Sequence, residues 1–482
     1  MKEKSSIKLN FIYSVIYQML LIILPLITSP YISRTLGSAG FGVYSYTYSV
    51  ANCFGLVGML GITNYGNRTI AAVQENRNQR SKVFWNIWAL QVMMSTIVFI
   101  FYWVYVIAFC VEEYRLVSYI QIIAVLCSMV DINWFFFGME KFKLTVIRNV
   151  IIKLISVILI FTFVKSSSDV WLYALIIVGG LFVTNLAIWP FLRDEVDFVK
   201  PVFKEMCSHF APIVVLFIPV IAVSLYKLMD KVLLGMLSSM NQAGFYENTE
   251  KIINIPMGLI TALGTVMLPR MSYLFANGER KETERYIFIS IEFVFFMASA
   301  FAFGIAGVAN EFAPIFFGEE FIEVGNLIMV ISPTVIFVSL ANVIRTQYLI
   351  PLHYDKAYII SVWVGAIVNL IINVTLIPQM GAMGAVVGTV LAEASVMGYQ
   401  TWYIRKEIKI REYAFRGWYY IFAGAIMFIV VRFIADCGGI NIITIVKEVL
   451  GGGAVYIGLC LPYVCIIHRS ELKSVLHKKS LF

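Results

Sequence analysis

Charge is what this sequence has least of. Only 14% of its 482 residues are Asp, Glu, Lys or Arg. A soluble chain of this length would form two or three domains with about 25% charged residues. A water-soluble fold is therefore excluded. Long polar stretches are also missing. The loops reach about 15 residues, too short for a folded domain. No GxxxxGK[ST] is present, which excludes ATP hydrolysis by a P-loop. Neither HExxH nor GxSxG occurs. The four histidines (209, 353, 468 and 477) are scattered and form no metal-ligand spacing. The seven cysteines (53, 110, 127, 207, 437, 460 and 465) fall mostly in apolar runs, without a CxxC pair. They read as core thiols rather than a disulfide framework. The net charge of +8 does not indicate nucleic acid, because the basic residues fall in membrane-flanking loops. There, topology and lipid headgroups account for them.

What the sequence has instead is apolar residues, 60% of the total, at a mean hydropathy of +0.83. They recur in runs of about 20, the length a helix needs to cross about 30 Å of hydrocarbon. The pattern predicts an all-α polytopic membrane protein of fourteen helices. Their approximate ranges are 9–32, 42–64, 84–109, 115–137, 144–164, 170–192, 209–236, 246–268, 287–308, 324–347, 357–378, 382–403, 415–434 and 447–467. The opening MKEKSSIK and its apolar run have the look of a signal peptide. The run is too long and has no AxA-like site, so an uncleaved first helix is expected.

The basic residues test this count. With the N terminus inside, the predicted inner segments carry 26 of the 37 Lys and Arg residues. Among them are Lys2, Lys4 and Lys8; Arg68, Arg77, Arg80 and Lys82; Lys141, Lys143 and Arg148; and Lys409, Arg469, Lys473, Lys478 and Lys479. The outer segments carry only Arg34, Arg115, Lys165 and Lys447. The outer loop from Asn310 to Gly325 has four glutamates and no basic residue. One helix more or fewer would invert everything downstream, so both termini are expected in the cytoplasm.

Ionisable residues at bilayer depth are costly and need a reason. The acids there are Asp131, Asp230, Glu292 and Glu393; the cations are Lys153, Lys227, Lys231, Lys251, Arg270, Arg345 and Arg432. Lys251, Arg270, Arg345 and Arg432 lie near helix ends, where snorkelling to water accounts for them equally well. Lys153 and Asp131 would be level on adjacent helices, as a structural ion pair or with Lys153 facing a cavity. Lys227 and Lys231 share a helix face one turn apart. Asp230 lies three residues from Lys227, so local neutralisation is the alternative to an open cationic wall. Pro212 and Pro219 permit that helix to bend. At matching depth, Asn369 and Asn373 are spaced i, i+4, as are Thr389 and Glu393. With Asp230 they could supply oxygen ligands to a small hard cation, or simply bond neighbouring helices together.

An internal echo accompanies this. Leu36-Gly37 and Gly42-Val-Tyr44 flank the first outer turn, and Leu234-Gly235 and Gly244-Phe-Tyr246 flank the fourth. A further outer turn carries Gly381 and Gly384. The echo suggests two six-helix halves with a cleft between repeats; the frequency of Gly in membrane turns is the plainer explanation.

The chain resembles the Wzx-type polysaccharide repeat-unit flippases (the oligosaccharide flippase family of the MOP superfamily). The residues carrying this are Pro30-Tyr-Ile-Ser-Arg34-Thr-Leu-Gly37 into Gly42-Val-Tyr44; Gly61-Ile-Thr-Asn-Tyr-Gly66-Asn-Arg68; Asp131-Ile-Asn-Trp134-Phe-Phe-Phe-Gly138-Met-Glu140; Tyr226 to Arg270; and Asn373 through Gly381 and Gly384. The resemblance implies an N-terminal lobe at 1–205, a C-terminal lobe at 206–412, and two added helices with a tail at 413–482. It implies a cationic central cavity and flipping of an undecaprenyl-diphosphate-linked oligosaccharide to the outer leaflet by alternating access. Its partners would be that substrate, membrane lipids, and a polysaccharide polymerase or ligase. Lys153, Lys227 and Lys231 are the expected substrate-binding cations, followed by Arg34, Arg270 and Arg345. Some superfamily members bind sodium in the C-terminal lobe, and Asp230, Asn369, Asn373 and Thr389 match that arrangement by position. Asn373 is an amide where such a site can carry a second acid, which leaves proton coupling through Asp230 or Glu393 as the alternative. No enzymatic activity is implied.

Other readings give different expectations. A multidrug-type exporter of the same superfamily would favour an acidic cavity. A membrane glycosyltransferase or polymerase would need a catalytic acid by an outer loop, where Glu311, Glu319, Glu320 and Glu323 are available.

Overall fold

Hydrocarbon offers no partner for backbone N–H and C=O groups, so a membrane chain folds as helices that bond internally. All fourteen expected spans fall on helix in the computed structural model, which describes residues 7–408 and 410–467. Lys2, Lys4, Lys409, Arg469, Lys473, Lys478 and Lys479, counted above as inner cations, lie outside those residues. The first two spans share one helical stretch, α1 (Ile7–Met59), broken at Gly37 with φ 71°. Only Gly takes that conformation without strain. There follow α2 (Ile62–Val73), α3 (Arg77–Ala108), α4 (Glu112–Val130), α5 (Asn133–Gly138), α6 (Phe142–Phe163) and α7 (Val170–Leu186). Next come α8 (Phe203–Leu237), α9 (Met240–Ala276), α10 (Arg280–Phe317), α11 (Ile322–Ile331) and α12 (Thr334–Ile344). Last are α13 (Asp355–Met380), α14 (Ala382–Ile404), α15 (Ile410–Gly438) and α16 (Ile442–Ile467).

Among the described residues, nine helices are long and apolar enough to cross a membrane, and ten spans result if one bent pair counts as one. The other four expected spans lie on α1, α8 and α9. The bent pair is α11 and α12, turned by 43° at Pro333, which has no N–H to continue the ladder. The helix expected at 115–137 is likewise split. Asp131 Oδ1 accepts the backbone N–H of Asn133 at 2.9 Å, an Asx turn that competes with helix.

Two compact units account for the contacts: Met1–Glu247 with Asn373–Ala385, and Asn248–Ile372 with Val386–Phe482. In the first, α1 packs against α3, α4, α6, α7 and α8. In the second, α10 packs against α11, α12, α15 and α16.

Two of the sequence motifs prove to be a single packed feature of the first unit. A Cβ on Gly66 would overlap the Trp134 ring, and one on Gly138 would press on the Asn67 carbonyl. So α2 and α5 meet backbone to ring. Trp134 donates its indole N–H to Gln91 at 3.0 Å. Phe84, Phe135 and Phe136, none of them exposed, close the cluster.

Part of the basic charge expected on the inner side is engaged in ion pairs. Arg80 and Glu195 are each 5% exposed, with Arg80 Nη2 3.5 Å from Glu195 Oε2. Arg80 Nε also donates to the Glu195 carbonyl at 3.0 Å, and Lys141 pairs with the same carboxylate. At the surface, Arg77 grips Asp197 through two 2.8 Å bonds and holds its carboxyl below the usual range. These contacts tie the start of α3 to the 193–197 segment.

Candidate functional site

A buried polar centre of the first unit forms around Asp230 of α8. Three elements reach it because glycine lets their backbones touch. A Cβ on Gly42 would overlap the Met240 carbonyl, and one on Gly244 would overlap the Ser38 carbonyl. The second arm of the broken α1, which begins at Ser38, thus seats directly on the start of α9. Gly381 has φ 56° and turns α13 into α14 against Gln242. Gln242 Oε1 accepts the Ala382 N–H at 2.7 Å. That places the end of α13 beside α8 and α9.

The Asp230 carboxylate is 2% exposed. One oxygen accepts the Tyr246 hydroxyl proton and the other accepts from the Asn373 amide. Tyr246 is 2% exposed and Asn373 not at all. One residue along α8, Lys231 Nζ lies 2.6 Å from Glu247 Oε2, which also accepts from Ser45 Oγ at 2.9 Å. A buried carboxylate and a half-buried ion pair therefore occupy adjacent positions on two facing helices.

Of the expected coupling set, Asp230 and Asn373 are in direct contact. Asn369, buried at 1% exposure, and Thr389 and Glu393, both half-buried, belong to the second unit. Of the expected cations, Lys227 and Arg34 are exposed in the first unit, Lys231 is paired, and Lys153 is half-buried on α6. In the second unit Arg270 is exposed and stacks 5.6 Å over the rings of Tyr273 and Tyr286. Arg345 donates to Asn342 Oδ1 at 2.9 Å and lies 5.6 Å over Tyr358. It opens a π-helical turn, Arg345–Leu349, the kind of irregularity that recurs at functional sites.

A second polar centre lines a cavity of about 520 Å³ in the first unit. Asn52, Asn64, Ser128, Asp131 and Asn185 line it, with Leu228 from α8. Asn133 Nδ2 donates to Asp131 Oδ1 at 2.7 Å and to Asn185 Oδ1 at 3.2 Å. Arg148 Nη2 donates to Asn133 Oδ1 at 2.8 Å. Arg148, read from the sequence as an inner topology residue, is 9% exposed and supports this network.

Tyr246, Glu247 and Ser45 were not singled out as site residues by sequence. Their signal was their position in the Gly-flanked turns that echo each other. Asn133 and Arg148 were legible only as motif and loop residues.

The comparisons agree with this architecture. A family model for polysaccharide biosynthesis proteins matches residues 7–275, more than half of the chain. The putative O-antigen transporter of Escherichia coli (strain K12) is 22% identical over 417 residues, covering 84% of this chain and 98% of that protein. Among solved structures, lipid II flippase MurJ in an inward closed conformation superposes with a TM-score of 0.73 at 13% identity, over 96% of this chain and 99% of that one. An inward-facing multidrug resistance MATE family transporter of the MOP superfamily gives 0.57 at 14% identity, over 81% and 98%. At these identities the solved structures speak for the fold, an all-α multi-pass membrane architecture. On the family match and that fold, the chain belongs to the polysaccharide biosynthesis protein family, as its resemblance to the Wzx-type flippases of the MOP superfamily led one to expect.

Proposed function

We propose that this chain flips undecaprenyl-diphosphate-linked oligosaccharide repeat units from the inner to the outer leaflet, by ion-coupled alternating access, for capsule, exopolysaccharide or O-antigen synthesis. The observation that carries the reading is the composition of α8. An exposed lysine at bilayer depth, Lys227, stands one turn from a buried carboxylate already held by two neutral donors. A diphosphate and an oligosaccharide cannot cross hydrocarbon unaided. Lys and Arg side chains replace the hydration of the phosphates, while the polyprenyl tail stays in lipid. The names of the relatives, an O-antigen transporter and a lipid II flippase, support a lipid-linked cargo.

In this reading Lys153, Lys227, Lys231 and Arg34 face the anionic cargo, with Arg270 and Arg345 contributing in the C-terminal lobe. Asp230 and Asn373 carry the coupling proton or sodium, and Asn369, Thr389 and Glu393 of the second unit are the other residues assigned to ion coupling. The working parts are two six-helix lobes, 1–205 and 206–412, with two further helices and a tail added at 413–482. The protein sits in the cell membrane with both termini in the cytoplasm, beside a polymerase or ligase, and catalyses no covalent step.

The test is flipping of a polyprenyl-diphosphate oligosaccharide in proteoliposomes. Lys227→Ala is the cleaner lysine variant, because Lys231 also balances Glu247. It should slow movement of the lipid-linked sugar, and Asp230→Asn should abolish dependence on a proton or sodium gradient. Export of cationic dyes with no movement of lipid-linked sugar would overturn the reading in favour of a multidrug exporter.

A further inference from the structure

A buried carboxylate in the second unit lies outside everything described above. Glu448 sits in the second turn of α16 with no exposed surface. Neither of its oxygens has a hydrogen-bond partner. The three helices that meet there, α10, α15 and α16, are drawn together by glycine. A Cβ on Gly307 or on Gly452 would press on the Val431 side chain, and one on Gly451 on Ile434. The seam is tight where the carboxylate lies.

The charged groups around it come from all three helices. From α10, Glu311 is 7% exposed. From α15, Arg432 donates through Nη1 to both Glu311 oxygens, at 3.1 and 2.8 Å, and to the Gly307 carbonyl at 3.2 Å. Asp436, further along α15, lies 3.8 Å from Arg432 Nη2 with 77% of its side chain exposed. On α16 itself, Lys447 is exposed. The charges paired at this seam are thus Glu311, buried, and Arg432, half-buried. The guanidinium is already engaged with Glu311 through two bonds. If both glutamates were ionised, one half-buried cation would serve two carboxylates, and one of these would have no donor. A buried carboxylate without a partner neutralises rather than bear that cost.

We propose that Glu448 is a proton-binding site. In its protonated state the carboxylic acid lets α16 seat against α10 and α15. Loss of the proton to water places a second negative charge at one guanidinium and loosens the N-terminal half of α16. A proton fits the site better than a metal ion. Among the described residues, the acids at this end of the seam are Glu448, Glu311 and the exposed Asp436, and the guanidinium repels a further cation. The inference does not depend on the transport reading, since it rests on this one seam.

The test uses the full-length protein in lipid and infrared difference spectroscopy across a pH titration. The wild type should show a protonated carboxylic-acid carbonyl band that Glu448→Gln lacks. In Glu311→Gln that band should titrate at lower pH, because a neighbouring negative charge has gone and Arg432 is released. Protection of the amides over residues 442–467, taken relative to the intrinsic exchange rate at each pH, should fall as pH rises in the wild type and stay constant in Glu448→Gln, which mimics the protonated acid. If the wild type and Glu448→Gln show the same carboxylic-acid bands, the proposal is wrong. It is equally wrong if the band responds to sodium at constant pH, which would make the seam a metal site.

Discussion

Removing the Tyr246 hydroxyl is the sharpest test of the Asp230 centre. Tyr246→Phe deletes one of the two hydrogen bonds that Tyr246 and Asn373 make to a carboxylate only 2% exposed. The ring still fills its place, so packing is preserved. A hydrogen bond to a charged group contributes about 1.5–3 kcal/mol, whereas a neutral bond between membrane helices averages about 0.6 kcal/mol. The structure puts two donors on one carboxylate, and the larger figure applies if that carboxylate is ionised. The expected loss is therefore about 1.5 kcal/mol or more, read by reversible unfolding in mixed micelles. In an Asp230→Asn background the same deletion removes only a neutral bond, so the coupling between the two substitutions should be about 1 kcal/mol. A Tyr246→Phe cost near the neutral value, and additive with Asp230→Asn, would refute an ionised Asp230 held by these donors.

Two further outcomes follow from the first unit. Glu195→Gln leaves Arg80 buried without a counter-charge and should destabilise by about 3 kcal/mol in the same unfolding measurement, while Arg77→Ala at the exposed pair should change little. Gly42→Ala should destabilise by about 1–3 kcal/mol, because the methyl meets the backbone carbonyl of Met240 rather than a movable side chain. Gly179→Ala in α7, where nothing lies within 4 Å of the new methyl, serves as the control and should be neutral or stabilising by up to about 1 kcal/mol.

Helix positions were legible because the signal is local. A run of about 20 apolar residues can only be helix in hydrocarbon, and each expected span fell on one. The break at Gly37 was legible for the same reason, since the turn residues lie next to each other in the chain. The amphipathic α2 was not separated from the span before it. Its start is set by Gly61, where a Cβ would overlap the Ile213 carbonyl of α8, and contact with a distant helix leaves no local trace.

The sequence by itself determined the membrane class, the helices, and that Asp230, Lys227 and Lys231 needed an account. It did so because hydropathy and charge cost are properties of a residue and its near neighbours. Only the tertiary structure decided the partners. Local spacing offered Asp230 to Lys227, three residues away on the same helix. The fold places Tyr246 and Asn373 on Asp230, and Glu247 on Lys231. Asp131, offered to Lys153, is bonded by Asn133, which Arg148 supports. Glu448 was not counted among the membrane acids at all, because it falls at the edge of its apolar run. The helical period states which side chains share a face. Which neighbour that face meets depends on close backbone approaches at Gly42, Gly244 and Gly381, and those are relations between residues up to hundreds of positions apart.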